Sequence, residues 1–509
     1  MKSIYFLAAL LLFFNCKENE SKTETNQLGE VDLSVTGKKE ALPSFQKGLL
    51  LLHSFEYEDA REAFKEAQEI DPNFPMAYWG EAMTHNHSLW SEQDYSEGAA
   101  ALSKLDSIAE SPTLSEVESD FISAAKILYK PQTPKSERDV AYANFMAQLY
   151  EKHPDNNEIA SFYALSLLGS AKERDTGIYE KGALIAKSVI DENPNHPGAL
   201  HYLIHSYDDP GHAQMALNAA NSYSQVAPDA SHALHMPSHI YVALGMWDEV
   251  VSSNEDSYQA SLNRMERKKL SNNARGYHAF HWLEYGYLQQ GRIEDAKKLV
   301  NDMHTYVTET PSPRARAHMV FLKSTYLAET KDFDDEITDI KVDVSGLNIS
   351  TRSQYNFLDG YKAYYDNNVA KLDSITALIE EDIKSEEVLA QNLDGGFSVC
   401  SSATREFPST LNIQQSQVMV LELKALSAML KKDKILTEQY FKEALDLQSK
   451  TSYSYGPPDV AMPPSNLYAD WLASENRNTE ALEMYEYTLK RAPNHTNTIK
   501  AMEMVQGRL

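Results

Sequence analysis

At 509 residues the chain is longer than one hydrophobic core usually serves, so it is several domains or a solenoid that grows by repetition. A formal charge of −27 repels phosphate backbones and anionic lipid, which argues against nucleic acid as a partner and keeps a long exposed surface in solution. Two cysteines are too few for a disulfide framework.

The chain opens with Lys2, an apolar run from Ile4 to Phe14, and Cys16. Such a run is well short of the ~20 residues a helix needs to span a bilayer, so it reads as a targeting segment. A cysteine directly behind it resembles a bacterial lipoprotein signal. The resemblance implies that residues 1–15 are removed and that Cys16 carries lipid, anchoring the chain in the cell envelope, at the outer membrane, facing the periplasm or the exterior. Asn15 stands where a small residue is usual, so an ordinary secretory signal or a retained anchor is the alternative. Residues 16–40 are polar and poor in large apolar side chains, the composition of a disordered tether. Within them Lys17-Glu18-Asn19-Glu20 is similar to the export signals of some surface lipoproteins. With Cys16 lipidated, Cys400 has no disulfide partner in the chain.

From residue 41 onward a fixed period emerges. Residues 41–74 carry Gly48, Ala60, Phe64, Ala67 and Pro72. Small residues at two of these places let paired helices approach closely, the aromatic packs on the next pair, and proline stops the second helix. These positions resemble the 34-residue tetratricopeptide repeat. The frame recurs at 197–230 (Tyr207, Ala216, Ala220, Pro228), 231–264 (Tyr241, Gly245), 277–310 (Tyr287, Gly291, Ala296) and 462–495 (Ala469, Ala481, Pro493). Residues 88–120, 330–350 and 390–413 lose the period and read as irregular insertions. The four prolines of 453–466 rule out a continuous helix there. The expected fold is therefore all-α, a tetratricopeptide-type solenoid of helical hairpins with irregular insertions. Its parts are a histidine-bearing array at 41–330, a degenerate helical and loop region at 331–410, and further repeats at 411–509. No GxGxxG, P-loop, βαβ unit or serine elbow is present.

Nine of the sixteen histidines fall between His196 and His281. Numbered by repeat position, His201, His235 and His281 occupy position 5, His205 and His239 position 9, and His232 and His278 position 2. Asp208 and Asp209 occupy positions 12 and 13. The tetratricopeptide resemblance implies that these positions face the concave groove, so His201, His205, Asp208, Asp209, His232, His235, His239, His278, His281 and Glu284 form a candidate ligand groove. His201/His205 and His235/His239 are i, i+4 pairs, one turn apart on a helix face and able to clamp an ion. Imidazole suits zinc and copper, so the candidate metal ligands are His201, His205, His235, His239 and His281, with the carboxylates as ligands or as groups that orient a ring. HYLIH and HMPSH lack the glutamate of HExxH, so no zincin-type protease is indicated.

Three functions stand at this point. One is a membrane-anchored binding scaffold whose groove takes a protein, peptide or small molecule together with a transition metal, zinc or copper. Another is a metal-dependent enzyme, hydrolytic or oxidative, using the same histidines with Glu284 or Asp209 as acid or base. The third is a metal-free interaction scaffold in which the rings hydrogen-bond one another. Isolated histidines such as His53, His153, His304, His318 and His495 read as structural, and His196 and His212 as helix-edge residues. The words AYWGEAM, HYLIHSYDDPGHA, HALHMPSHIY and YGPPDVAMP also resemble a group of bacterial tetratricopeptide proteins, a resemblance that carries no mechanism.

Overall fold

The computed structural model describes residues 27–108, 112–171, 174, 176–390, 409–451 and 456–508. Cys16, Cys400 and the signal segment lie outside the described residues. Helices succeed one another in antiparallel pairs. The first are α1 (Leu42–His53) with α2 (Tyr57–Ile70), then α3 (Pro75–Met83), α4 (Tyr95–Ser103), α5 (Glu116–Leu128) and α6 (Lys135–Lys152). The middle of the array holds α7 (Asn157–Ser170), α8 (Thr176–Glu192), α9 (Pro197–Tyr207), α10 (Ala213–Val226), α11 (Ser231–His235), α12 (Pro237–Leu244) and α13 (Trp247–Lys268). The remainder comprises α14 (Tyr277–Gln289), α15 (Ile293–Glu309), α16 (Pro313–Thr330), α17 (Ile349–Tyr365), α18 (Val369–Ala390), α19 (Thr410–Leu430), α20 (Lys434–Ser449), α21 (Pro464–Ser474), α22 (Asn478–Arg491) and α23 (Thr496–Gln506). Among the described residues the sole sheet is a two-residue ladder, Asn86–His87 against Glu92–Gln93, inside the first irregular insertion. No helix among them is long and apolar enough to cross a membrane.

The repeat positions read from sequence do the packing they imply. Phe64 is fully buried, and a Cβ on Gly48 would lie 2.8 Å from its ring, while one on Gly80 of the next hairpin would overlap it. The two glycines thus hold one aromatic between successive hairpins, the close approach that only a missing side chain permits. Pro197, Pro313 and Pro464 occupy the first turn of their helices, where no amide donor is needed. Residues 456–463 form no helix, as their prolines require.

Residues 27–38, the end of the stretch whose composition reads as a disordered tether, run along the array and are stapled to it. Glu30 N–H donates to the Asn195 carbonyl at 2.9 Å, and Thr36 donates to buried Glu118 through its amide at 2.6 Å and its hydroxyl at 2.8 Å. Leu28 is buried in the core. Polar composition here marks a strap whose backbone finds partners on the array, which hydropathy alone does not reveal.

Among the described residues two large apolar cores meet within α13, and a small third cluster joins Ala317 to Leu347. One runs from Leu28 to Val250 and takes in Trp282 and Tyr285; the other runs from Val251 to Val505 and includes residues on both sides of 330. The last hairpin folds back on the middle of the array. Trp247 Nε1–H donates to the Asn494 carbonyl at 2.9 Å, Thr496 N–H to Gln289 at 2.9 Å, and His495 pairs with Glu329 at 2.9 Å. The histidine-bearing helices α9, α11, α12 and α14 are thereby enclosed between the first hairpin and the returning C-terminus.

Candidate metal centre

Six of the seven groove histidines converge. His201 and His205 project one turn apart from α9, whose N-terminus is capped by His196 accepting the Ala199 amide at 3.1 Å. His232 and His235 lie on α11. Pro237 ends that helix, yet Met236 stays in helical conformation and α12 resumes at once, so HMPSH keeps His239 beside His235. His278 arrives from the first turn of α14. The rings form two sets of three, His201/His205/His232 and His235/His239/His278, and within each set the nearest ligand atoms lie within 4.8 Å of one another.

Proton placement decides what these sets can do. His201 Nδ1–H donates to the His53 carbonyl at 2.8 Å. His235 Nδ1–H donates to Asn254 Oδ1 at 2.7 Å, and that amide is oriented by donating its own Nδ2–H to Val250 O at 2.7 Å. His205 and His239 both donate Nδ1–H to Asp208 Oδ2 at 3.3 Å. With these four Nδ1 atoms protonated, the neutral rings carry their lone pairs on Nε2. His201 Nε2 faces His232 Nε2 at 3.2 Å, and His239 Nε2 faces His235 Nε2 at 3.2 Å. In the His235–His239 pair both facing nitrogens are acceptors, and at this separation they repel unless a cation lies between them; His232 Nε2 can meet His201 Nε2 either as an N–H donor or as a second ligand. Ligands of one tetrahedral ion at ~2.0–2.1 Å sit about 3.3–3.4 Å apart, close to the observed spacing. Holding Nδ1 on a carbonyl or carboxylate so that Nε2 points inward is how proteins orient metal-binding histidines.

The surroundings are dry and aromatic. His201, His205, His235, His239 and Asp208 are buried, His232 is half-buried and His278 is exposed at the rim. Burial pushes the imidazoles down: His201 and His232 lie well below the usual range, His239 is lowered, and His235 falls to about 3. Burial alone would raise the Asp208 carboxyl, but Arg174 at 2.8 Å and the His205 and His239 donors hold it far below the ordinary carboxylate range. Phe55 walls the first set, its ring 4.3 Å from His201 and stacked on His232 at 5.6 Å. Its φ of +54° is unusual for a bulky residue and is held by the turn between α1 and α2. Trp282 walls the second set, stacked on His239 at 4.6 Å. A Cβ on Gly456 would overlap that indole, so the GPP loop of the returning C-terminus backs the wall.

The other groove candidates are elsewhere. His281, grouped by sequence with the metal ligands, bonds Thr325 Oγ1 through Nε2 at 2.8 Å and stacks on Phe321. His278 holds the repeat position of His232 and completes the second set as His232 completes the first, whereas the face of α14 that carries His281 packs toward α16. Asp209 points away from the rings, accepting from Arg174 at 3.1 Å and His212 Nδ1 at 2.9 Å. Both Asp209 and His212 line a separate cavity of about 300 Å³ with Tyr179, Tyr207 and Lys490. Glu284 is fully buried, with both oxygens lacking a hydrogen-bond partner among the described residues, and burial and then Glu329 raise its carboxyl well above the usual range. It belongs to neither set of rings.

A third group, His53, Glu158 and His196, is equally buried but has the opposite proton pattern. Tyr202 donates to His53 Nδ1 at 2.9 Å and Ala199 N–H to His196 Nδ1, leaving both Nε2–H groups to donate to Glu158 at 2.8 and 3.1 Å. Every nitrogen is satisfied, so this is a polar clasp joining α1, α7 and α9. Sequence reasoning placed neither Glu158 nor the orienting residues Asn254 and Arg174 near the histidines; they come from partner helices and carry no spacing signal.

No protein-family model and no curated protein matches the chain. Among solved structures it is similar to the human IFIT1 dimer with PPP-AAAA, at 13% identity over 79% of this chain and 89% of that one, with a TM-score of 0.35. It is also similar to yeast Tom70, at 13% identity over 92% and 89% of the two chains with a TM-score of 0.33. A third similar structure is the P58(IPK) TPR domain, at 12% identity over 92% and 98% with a TM-score of 0.22. No function is taken from likenesses this distant. The helical hairpins and their small-residue contacts make the described residues an all-α array of packed hairpins, the fold class that the repeat spacing implies.

Proposed function

We propose that the chain is an envelope-anchored helical-repeat binding protein whose histidine cluster holds a transition metal. The observation that carries the metal reading is the pair of facing acceptor nitrogens on His235 and His239 at 3.2 Å, with the Nε2 atoms of His201 and His232 equally close in the neighbouring set. A shared proton is disfavoured there because burial lowers the basicity of all four rings. The neutral nitrogen donors suit zinc or copper. Anchoring rests on the apolar run and Cys16 at the start of the sequence, and the array offers a surface for a protein, peptide or small ligand beside the rings. The test is elemental analysis of protein purified free of metal and then reloaded. Stoichiometric zinc or copper that disappears in a His201→Ala/His235→Ala double variant supports the reading. No uptake by the native protein overturns it and leaves a metal-free scaffold.

A metal-dependent enzyme is the second reading. Sets of three nitrogens leave a coordination position open, and the exposed edge of His278 gives access to it. Turnover of an activated ester or an oxidisable phenol by loaded protein, absent from the metal-free form, establishes it.

A further inference from the structure

We infer that the cluster is two metal sites, one at each of two successive hairpin junctions, and not one site with spare ligands; this rests on the metal reading above. The same ligand pattern occurs twice. His201 and His205 on α9 form one i, i+4 pair, and His235 and His239 form another 34 residues later, the length of one repeat. Each pair takes its third ring from the next first helix in the array, His232 from α11 for the first and His278 from α14 for the second.

The supporting features are duplicated as well. Each set has one pair of facing Nε2 atoms at 3.2 Å and one aromatic wall, Phe55 or Trp282. Asp208 stands behind one ring of each set, accepting from His205 and His239. Each set also has one ring that reaches solvent, half-buried His232 and exposed His278, so each has its own entry. A single four-coordinate ion would use at most four of the six imidazoles, yet the close groupings of these rings are two sets of three. Two ions, each on three neutral nitrogens with one open position, use all six.

Titration of metal-free full-length protein with zinc(II), read by calorimetry and by elemental analysis after desalting, tests this. The native protein takes up two equivalents. His232→Gln and His278→Gln alter the least enclosed ring of each set, and thermal melts verify that each variant folds. Each variant retains one equivalent, and the double variant retains none. His281→Ala, outside both sets, keeps two. A native stoichiometry of one, or loss of both ions from either single variant, overturns the two-site inference while leaving metal binding intact. No uptake by the native protein overturns both.

Discussion

Asp208→Asn probes the device on which both sets of rings depend. The carboxylate accepts Nδ1–H from His205 in one set and His239 in the other, and its second oxygen meets Arg174 at 2.8 Å. Asparagine has the same shape but carries an amide NH2 where the carboxylate has an acceptor. If that NH2 faces the rings, His205 or His239 must accept at Nδ1, and its proton moves to Nε2, the atom needed for the ion. Losing such an orienting partner typically weakens metal affinity about 10–100-fold, which is about 1.4–2.7 kcal/mol. Because one carboxylate serves both sets, the variant weakens both ions together, unlike the His232 and His278 variants. Competition between zinc(II)-loaded protein and a chelator of known affinity measures the shift. Asp209→Asn is the control: it touches Arg174 and His212 but no ring of the cluster, and its affinity stays at the native value. A folded Asp208→Asn protein that binds within twofold of native refutes the orienting role and the proton placement built on it.

The remaining predictions concern stability. Glu158→Gln sets an amide NH2 against an imidazole N–H in the clasp of His53 and His196; leaving a buried hydrogen-bonding group unsatisfied costs about 1–3 kcal/mol, so the apparent thermal midpoint falls while metal content stays native. Metal loss in that variant would make the clasp part of the centre. In the metal-free protein, burial lowers His53, His201, His232, His235 and His239, so below pH ~6.5 the unfolded chain takes up protons that the folded chain refuses. Stability rises with pH through that window and is lost on acidification, by up to about 1.4 kcal/mol per pH unit for each such ring. Melts of metal-free protein from about pH 7.5 to 5 read the slope, and a flat or rising midpoint on acidification contradicts the buried neutral state.

The outcome for His281 shows how far periodicity carries. His201 and His235 share a repeat position and both enter the cluster because their helices are one regular repeat apart. His281 shares that position too, but it begins a third set that has no second ring: Tyr285 stands where His205 and His239 stand, while His278, at the place of His232, completes the second set. Asp208 and Asp209 are neighbours in sequence, yet one orients two rings while the other faces a separate cavity, because the turn after α9 sends consecutive side chains to opposite sides. The polar run ending at residue 38 gave no hint of its partners, since a strap is held by backbone groups meeting Asn195 and Glu118 far along the chain.

What the sequence determined by itself is whatever depends on local spacing: helices from the 3.6-residue period, hairpins from small residues and prolines, and i, i+4 histidine pairs on shared faces. Proton positions on those rings were decided only by tertiary structure, because the His53 carbonyl, Asn254 and Asp208 reach them from other turns and helices. The same is true of the contrast between the metal-poised cluster and the satisfied His53–Glu158–His196 clasp. Both are buried groups of histidine and carboxylate, and they differ in which nitrogen meets a donor and which an acceptor, a matter of packing that no count of residues along the chain records.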